Sequence, residues 1–91
     1  MIRKIHYSKR AAREIRKLDP QTKRRVRAAL EKLAAEPTRG KPLHVDLRGL
    51  RSLRTGDYRV IYRVVEGRLE VLVIAVGHRR EVYDRLKDRL K

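Results

Sequence analysis

The sequence predicts an α+β domain: a short N-terminal strand, two helices packed on one face of an antiparallel sheet, and a short C-terminal helix. Three observations predict it. Apolar residues recur at helical spacing in two stretches before Pro37. Three segments between Leu50 and Val76 are strand-like and are separated by turns built on Gly56 and Gly67. The chain has 91 residues and no internal repeat or low-complexity linker, so residues 1–91 form one domain with one modest core.

The elements follow in order. Residues 2–7, with Ile2, Lys4 and Tyr7, alternate as an edge strand does. Ser8 is a helix N-cap, and Ala11, Ala12, Ile15 and Leu18 give the next helix one apolar stripe. Asp19-Pro20 starts a second helix, with the carboxylate as cap and Pro at the first helical position. Val26, Ala29, Leu30 and Leu33 line its buried face, while Lys23, Arg24, Arg27 and Lys32 lie mostly elsewhere. Pro37 ends it, and residues 37–49 read as loop. Leu50 to Arg54 is a short strand, Thr55-Gly56-Asp57 a tight turn, and Tyr58 to Val65 a second strand. After Glu66-Gly67, Leu69 to Val76 is apolar enough to be central in the sheet, and Gly77 is expected to break it. Residues 80–90 form a last helix with Tyr83, Leu86 and Leu90 on one side. The sheet face away from the helices is expected to be partly open to solvent or a partner.

Charge narrows the function. Lys and Arg number 26 against 11 Asp and Glu, a formal net charge of +15. Such a surface repels itself, and its usual partners are nucleic acid, an anionic membrane or an acidic protein. Disulfides and thiolate metal sites are excluded because there is no Cys. No apolar run approaches the roughly 20 residues of a membrane span, and no signal peptide is recognisable, so a cytoplasmic location without membrane partner is expected. His6, His44 and His78 lack paired metal-ligand spacing, so no metal is expected. There is neither a glycine-rich phosphate loop ending in Gly-Lys-Ser/Thr nor a Cys nucleophile.

Side chains alternate along a strand. Tyr58, Val60, Tyr62 and Val64 share the apolar face, which leaves Arg59, Ile61 and Arg63 on the other. Leu53 belongs with the core, so Ser52 and Arg54 point toward the Arg59 face. A second basic cluster follows the apolar strand: His78, Arg79, Arg80 and, after Glu81-Val82, Tyr83. Arg grips phosphate bidentately, Tyr stacks on a base, and His moves protons near neutral pH.

The run from Arg54 through Thr55-Gly56-Asp57-Tyr58-Arg59-Val60-Ile61-Tyr62 to Arg63, followed by Val76-Gly77-His78-Arg79-Arg80-Glu81-Val82-Tyr83, resembles the RelE/ParE toxin superfamily. So do the Ala-rich first helix with Ile15-Arg16-Lys17-Leu18, Pro42-Leu43, and Leu47-Arg48-Gly49-Leu50. The ending resembles the RelE branch. The resemblance implies a RelE-like fold and a type II toxin that enters the decoding site of the ribosome and cleaves messenger RNA. The implied reaction is attack of a ribose 2′-hydroxyl on the adjacent phosphate, with no cofactor. It implies that Arg59 binds the scissile phosphate, Arg79 acts near the leaving group and Tyr83 orients or stacks on a base. Arg51, Arg54, Arg63 and Arg80 are the implied RNA-binding residues.

The chain departs from the family where the best-known RelE enzymes carry Lys before the turn. Leu50 and Ser52 occupy those positions. His78 is then the candidate for proton transfer, because Arg has too high a pKa to be a comfortable base. The resemblance also implies a RelB-like antitoxin and a toxin–antitoxin heterotetramer, with ribosome and messenger RNA as the other partners. The alternatives are a ParE-like inhibitor of DNA gyrase and a catalytically weak ribosome-binding relative.

Overall fold

The computed structural model describes residues 3–42, 49–65, 67 and 70–78. Strand β1 (Lys4–Tyr7) leads into helix α1 (Lys9–Arg16) and helix α2 (Pro20–Ala35). Strands β2 (Lys41–Pro42), β3 (Arg51–Thr55), β4 (Tyr58–Val65) and β5 (Glu70–His78) complete the sheet. The sheet order is β1-β5-β4-β3-β2. The α+β architecture and the edge position of the first strand are as the sequence predicts.

Both helix starts have the caps that the sequence announces. The Ser8 hydroxyl accepts from the Ala11 N–H at 3.0 Å. The Asp19 carboxylate accepts from the Thr22 N–H at 3.2 Å, and the Thr22 side-chain hydroxyl, together with that N–H, holds its pKa below the usual carboxylate value. Gly56 and Gly67 take the left-handed conformation at their turns, with φ of 61° and 83°.

Three expectations need correction. The sheet is mixed, because β1 pairs with β5 in parallel. Alternation assigns a strand's faces but not its direction, and the helical crossover through α1 and α2 permits the parallel pairing. Gly77 does not break the last strand, since β5 continues to His78 through the pairs Arg59–Gly77 and Tyr58–His78. Lys41 and Pro42, read as loop, add a two-residue edge strand against Ser52 and Arg51. The expected helix 80–90 lies outside the described residues, as do residues 43–48 of the expected loop.

The core lies between the sheet and the helices. Val60, Tyr62, Val71, Val73 and Val76 meet Ala11, Val26, Leu30 and Leu33 there, with Ile5, Ile15, Leu18, Leu53 and Val64 packed around them. Tyr62 is fully buried, and its hydroxyl is satisfied twice. It donates to the Pro37 carbonyl at 2.8 Å and accepts from the Gly40 N–H at 2.9 Å. A Cβ on Gly40 would stand 2.6 Å from that hydroxyl and 2.7 Å from the Ser52 carbonyl oxygen, so only glycine fits this approach.

The β4–β5 register slips between Ile61 and Tyr62: Ile61 faces Ala75 and Tyr62 faces Val73. Ile74 is thus the extra residue of a bulge. β1 pairs with β5 only as far as Val73, so the next stretch of β5 has no strand neighbour on that side. Helix α1 supplies the bonds instead. Ser8 donates its hydroxyl to the Ile74 carbonyl at 2.8 Å, and the Glu14 carboxylate accepts from the Val76 N–H at 3.0 Å.

Candidate nucleic-acid interface

Residues directly paired across a ladder share a face. Arg54 pairs with Arg59, and Arg59 with Gly77. These three form one row on the face away from the helices. Lys41, Ser52, Ile61 and Ala75 form the next row. Arg63 lies on the same face one row further, paired with Leu72, whose other neighbour is His6.

Arg54 and Arg59 are direct partners across the ladder, so like charge is gathered on one row of the sheet. Gly77 itself puts no side chain beside Arg59. Arg54 also steadies the adjoining turn, since its Nε donates to the Gly56 carbonyl at 3.1 Å.

The face is not open throughout. Ile61 and Ala75 are fully buried and Ser52 nearly so. Its centre is therefore an apolar strip, flanked by the arginine row on one side and by Arg63, which is exposed, on the other.

Arg51 does not join this surface. It pairs with Tyr62 and so belongs to the helix side. Its Nε and Nη2 both donate to the Gly40 carbonyl, at 3.2 and 3.0 Å, and Nη2 also donates to Thr38 O at 3.1 Å. That guanidinium holds the segment that covers Tyr62. His78 pairs with Tyr58, which places it across the sheet from Arg59. Its ring meets the Tyr58 ring edge to face, with centroids 5.3 Å apart. Arg79, Arg80 and Tyr83 lie outside the described residues.

The structure adds features that spacing alone does not reveal. A groove of about 220 Å³ runs between the helices, lined by Tyr7, Ala12, Ile15, Val26 and Leu30 and rimmed by Lys23 and Arg27. Tyr7 is the exposed large hydrophobic residue among those described. The period-3.6 stripes of both helices contained this signal, but not the gap between them. His6 Nε2 stands 3.4 Å from Glu70 Oε1, an ion-pair distance without a hydrogen bond. No helix among the described residues is long and apolar enough to cross a membrane.

Comparison with known proteins places this arrangement. Residues 5–83 match the family model described as the ParE toxin of the type II toxin–antitoxin system. Toxin RelG of Mycobacterium tuberculosis is 36% identical over 83 residues, which covers 89% of this chain and 95% of the relative. Toxin RelE of the same organism is 48% identical over 44 residues, 48% of this chain and 45% of that protein. Among solved structures, a RelBE toxin–antitoxin complex from M. tuberculosis matches with a TM-score of 0.80 at 34% identity, covering 87% of this chain and 100% of that one. The isolated E. coli RelE toxin has the same fold, with a TM-score of 0.75 at 23% identity over 98% of this chain and 99% of that one. The chain therefore belongs to the ParE toxin family of type II toxin–antitoxin systems, within the RelE/ParE superfamily.

Proposed function

We propose that this toxin is a ribosome-dependent endoribonuclease of the RelE type that inhibits translation by cutting messenger RNA in the decoding site. The observation that carries the reading is the row Arg54–Arg59–Gly77, which sets two arginines side by side on one sheet face. The similarity to Toxin RelG along most of both chains supports the same branch.

In the proposed reaction the ribose 2′-oxygen bonds to the adjacent phosphorus and the bond from phosphorus to the 5′-oxygen breaks. The 2′-hydroxyl loses its proton, the 5′-oxygen gains one, and a 2′,3′-cyclic phosphate remains. Arg59 holds the scissile phosphate, and Arg54 adds positive charge beside it. Charge that grows on the phosphoryl oxygens is stabilised most by donors already in place. Arg79 acts at the leaving oxygen and Tyr83 orients a base. Arg63 and Arg80 contact the strand on either side.

The row of Arg59 contains no Lys and no His among the described residues, whereas the row of Ile61 ends in Lys41, the edge-strand partner of Ser52. His78, across the sheet, is poorly placed for a proton on a ribose held at Arg59. We propose that solvent water takes the 2′-hydroxyl proton and supplies the one on the 5′-oxygen, while in-line positioning within the decoding site lowers the barrier. A His78→Ala variant that flattens the pH profile of cleavage overturns that assignment.

The antitoxin is proposed to be RelB-like, with an acidic amphipathic segment seated in the groove between α1 and α2 and the toxin stored as a heterotetramer. An apolar floor with a basic rim suits such a segment, as does the +15 charge. Action on the ribosome sets the location as the cytoplasm.

A second reading is favoured by the family model itself, which is that of the ParE toxin. A ParE-like inhibitor leaves messenger RNA whole and produces gyrase-dependent DNA breaks. Primer extension on messenger RNA translated in vitro separates the readings. The RelE-type reading expects codon-positioned cuts only in ribosome-bound message, and intact message overturns it. A catalytically weak relative stalls translation with neither cuts nor breaks.

A further inference from the structure

The end of the sheet beside the β3–β4 turn carries a second set of groups that the proposed cleavage does not use. Tyr58 and His78 are the final pair of β4 and β5, with rings at 88° to one another. His78 is exposed and Tyr58 half-buried. From α2, Arg25 reaches the turn, with Nη1 3.6 Å from where a Gly56 Cβ would stand. Arg54 reaches the same turn from the arginine row, donating to the Gly56 carbonyl. The turn is thus flanked by guanidinium groups from two directions.

We propose that Tyr58 and His78 form a stacking subsite for a nucleobase of the RNA strand, next to the nucleotide whose phosphate Arg59 holds. Arg25 takes a phosphate of that neighbouring nucleotide. The inference rests on the RNA-cleaving reading and extends it.

Tyr58 and Arg59 are consecutive in β4, so their side chains leave the backbone on opposite sides. A strand anchored by its phosphate at Arg59 and passing the end of the sheet meets the Tyr58–His78 pair next. Single-stranded nucleic acid is held by this combination of stacking rings and cationic groups. Closing the core does not require an exposed imidazole, because Val60 and Val76, the next pair inward on the same face, are already buried. The subsite also gives His78 a binding role that its position permits, in place of a proton-transfer role across the sheet.

The test uses the whole toxin with an uncleavable 2′-O-methyl oligonucleotide, followed by NMR of labelled His and Tyr rings and of Arg side chains. The proposal expects upfield ring shifts at His78 and Tyr58 together with shifts at Arg59. An oligonucleotide abasic at the neighbouring position should bind about tenfold more weakly to wild type, the size expected for one stacked base. Tyr58→Ala should bind both oligonucleotides alike, and Tyr58→Phe should restore the difference. Movement at Arg59 with silent rings overturns the subsite and leaves the cleavage reading standing. Absence of any RNA-dependent shift overturns the subsite and the RNA contact at Arg59 together. In the translation assay, His78→Ala should raise the toxin concentration for half-maximal cleavage several-fold with an unchanged pH profile. An altered pH profile at unchanged half-maximal concentration overturns the binding role.

Discussion

Arg51 and Arg54 stand three residues apart in one strand and have different work. Arg54 shares a row with Arg59, whereas Arg51 is spent on the carbonyls of Thr38 and Gly40. Period-two alternation in the sequence separates their faces, and on that basis Arg54 and Arg59 were legible as a pair. The use of Arg51 was not, because its acceptors lie 11 and 13 residues away in a segment that only the fold brings near. Arg51→Ala is expected to lower unfolding free energy by about 2 kcal/mol, the range for hydrogen bonds from a charged donor. Urea denaturation measures this, and an unchanged midpoint contradicts the bracing role. Tyr62→Phe leaves the Gly40 N–H and the Pro37 carbonyl without their partner, at a cost of about 1–3 kcal/mol in the same assay.

Helix α1 does more at the scale of the element than bury an apolar stripe. Ser8 caps the helix and also donates to the Ile74 carbonyl, while Glu14 accepts from the Val76 N–H where β1 has run out. Ser8→Ala is expected to cost about 1–2 kcal/mol, since it removes a cap and a cross-link together. Thermal unfolding that shows no loss contradicts this. Both caps were legible, because Ser8 and Asp19-Pro20 are local signals. The parallel pairing of β1 was not, because its partners lie more than 60 residues away, and neither was the bulge at Ile74, which depends on the register between β4 and β5. Asp19 has a folded pKa below its usual value, so its stabilisation is fully present above the usual carboxylate pKa. It is lost as pH falls through the lowered value. The Tm difference between wild type and Asp19→Ala should therefore be constant near neutrality and vanish in strong acid. A difference that persists there contradicts the charged-cap account.

At the scale of the whole molecule the two proposed partners are assigned to different surfaces. The arginine row occupies one sheet face, and the apolar groove with its basic rim lies between the helices on the other side. The sequence showed the charge, the strand faces and the helix stripes, which were enough to assign the family. It did not show that Ile61 and Ala75 bury the centre of the supposedly open face, because alternation marks a residue's side but not what lies over it. Ala12→Glu in the groove is expected to weaken antitoxin binding at least tenfold by calorimetry, since it places a carboxylate on an apolar floor. Unchanged affinity contradicts the proposed seat.

The proposed function turns on cleavage of ribosome-bound message through Arg59. Primer extension on messenger RNA translated in vitro tests it, with wild-type toxin and Arg59→Ala side by side. The account predicts codon-positioned cuts with wild type, none in ribosome-free RNA, and a rate about 100-fold lower for Arg59→Ala, the usual loss for one transition-state donor. Intact message with wild type, or equal cutting by the two proteins, contradicts it.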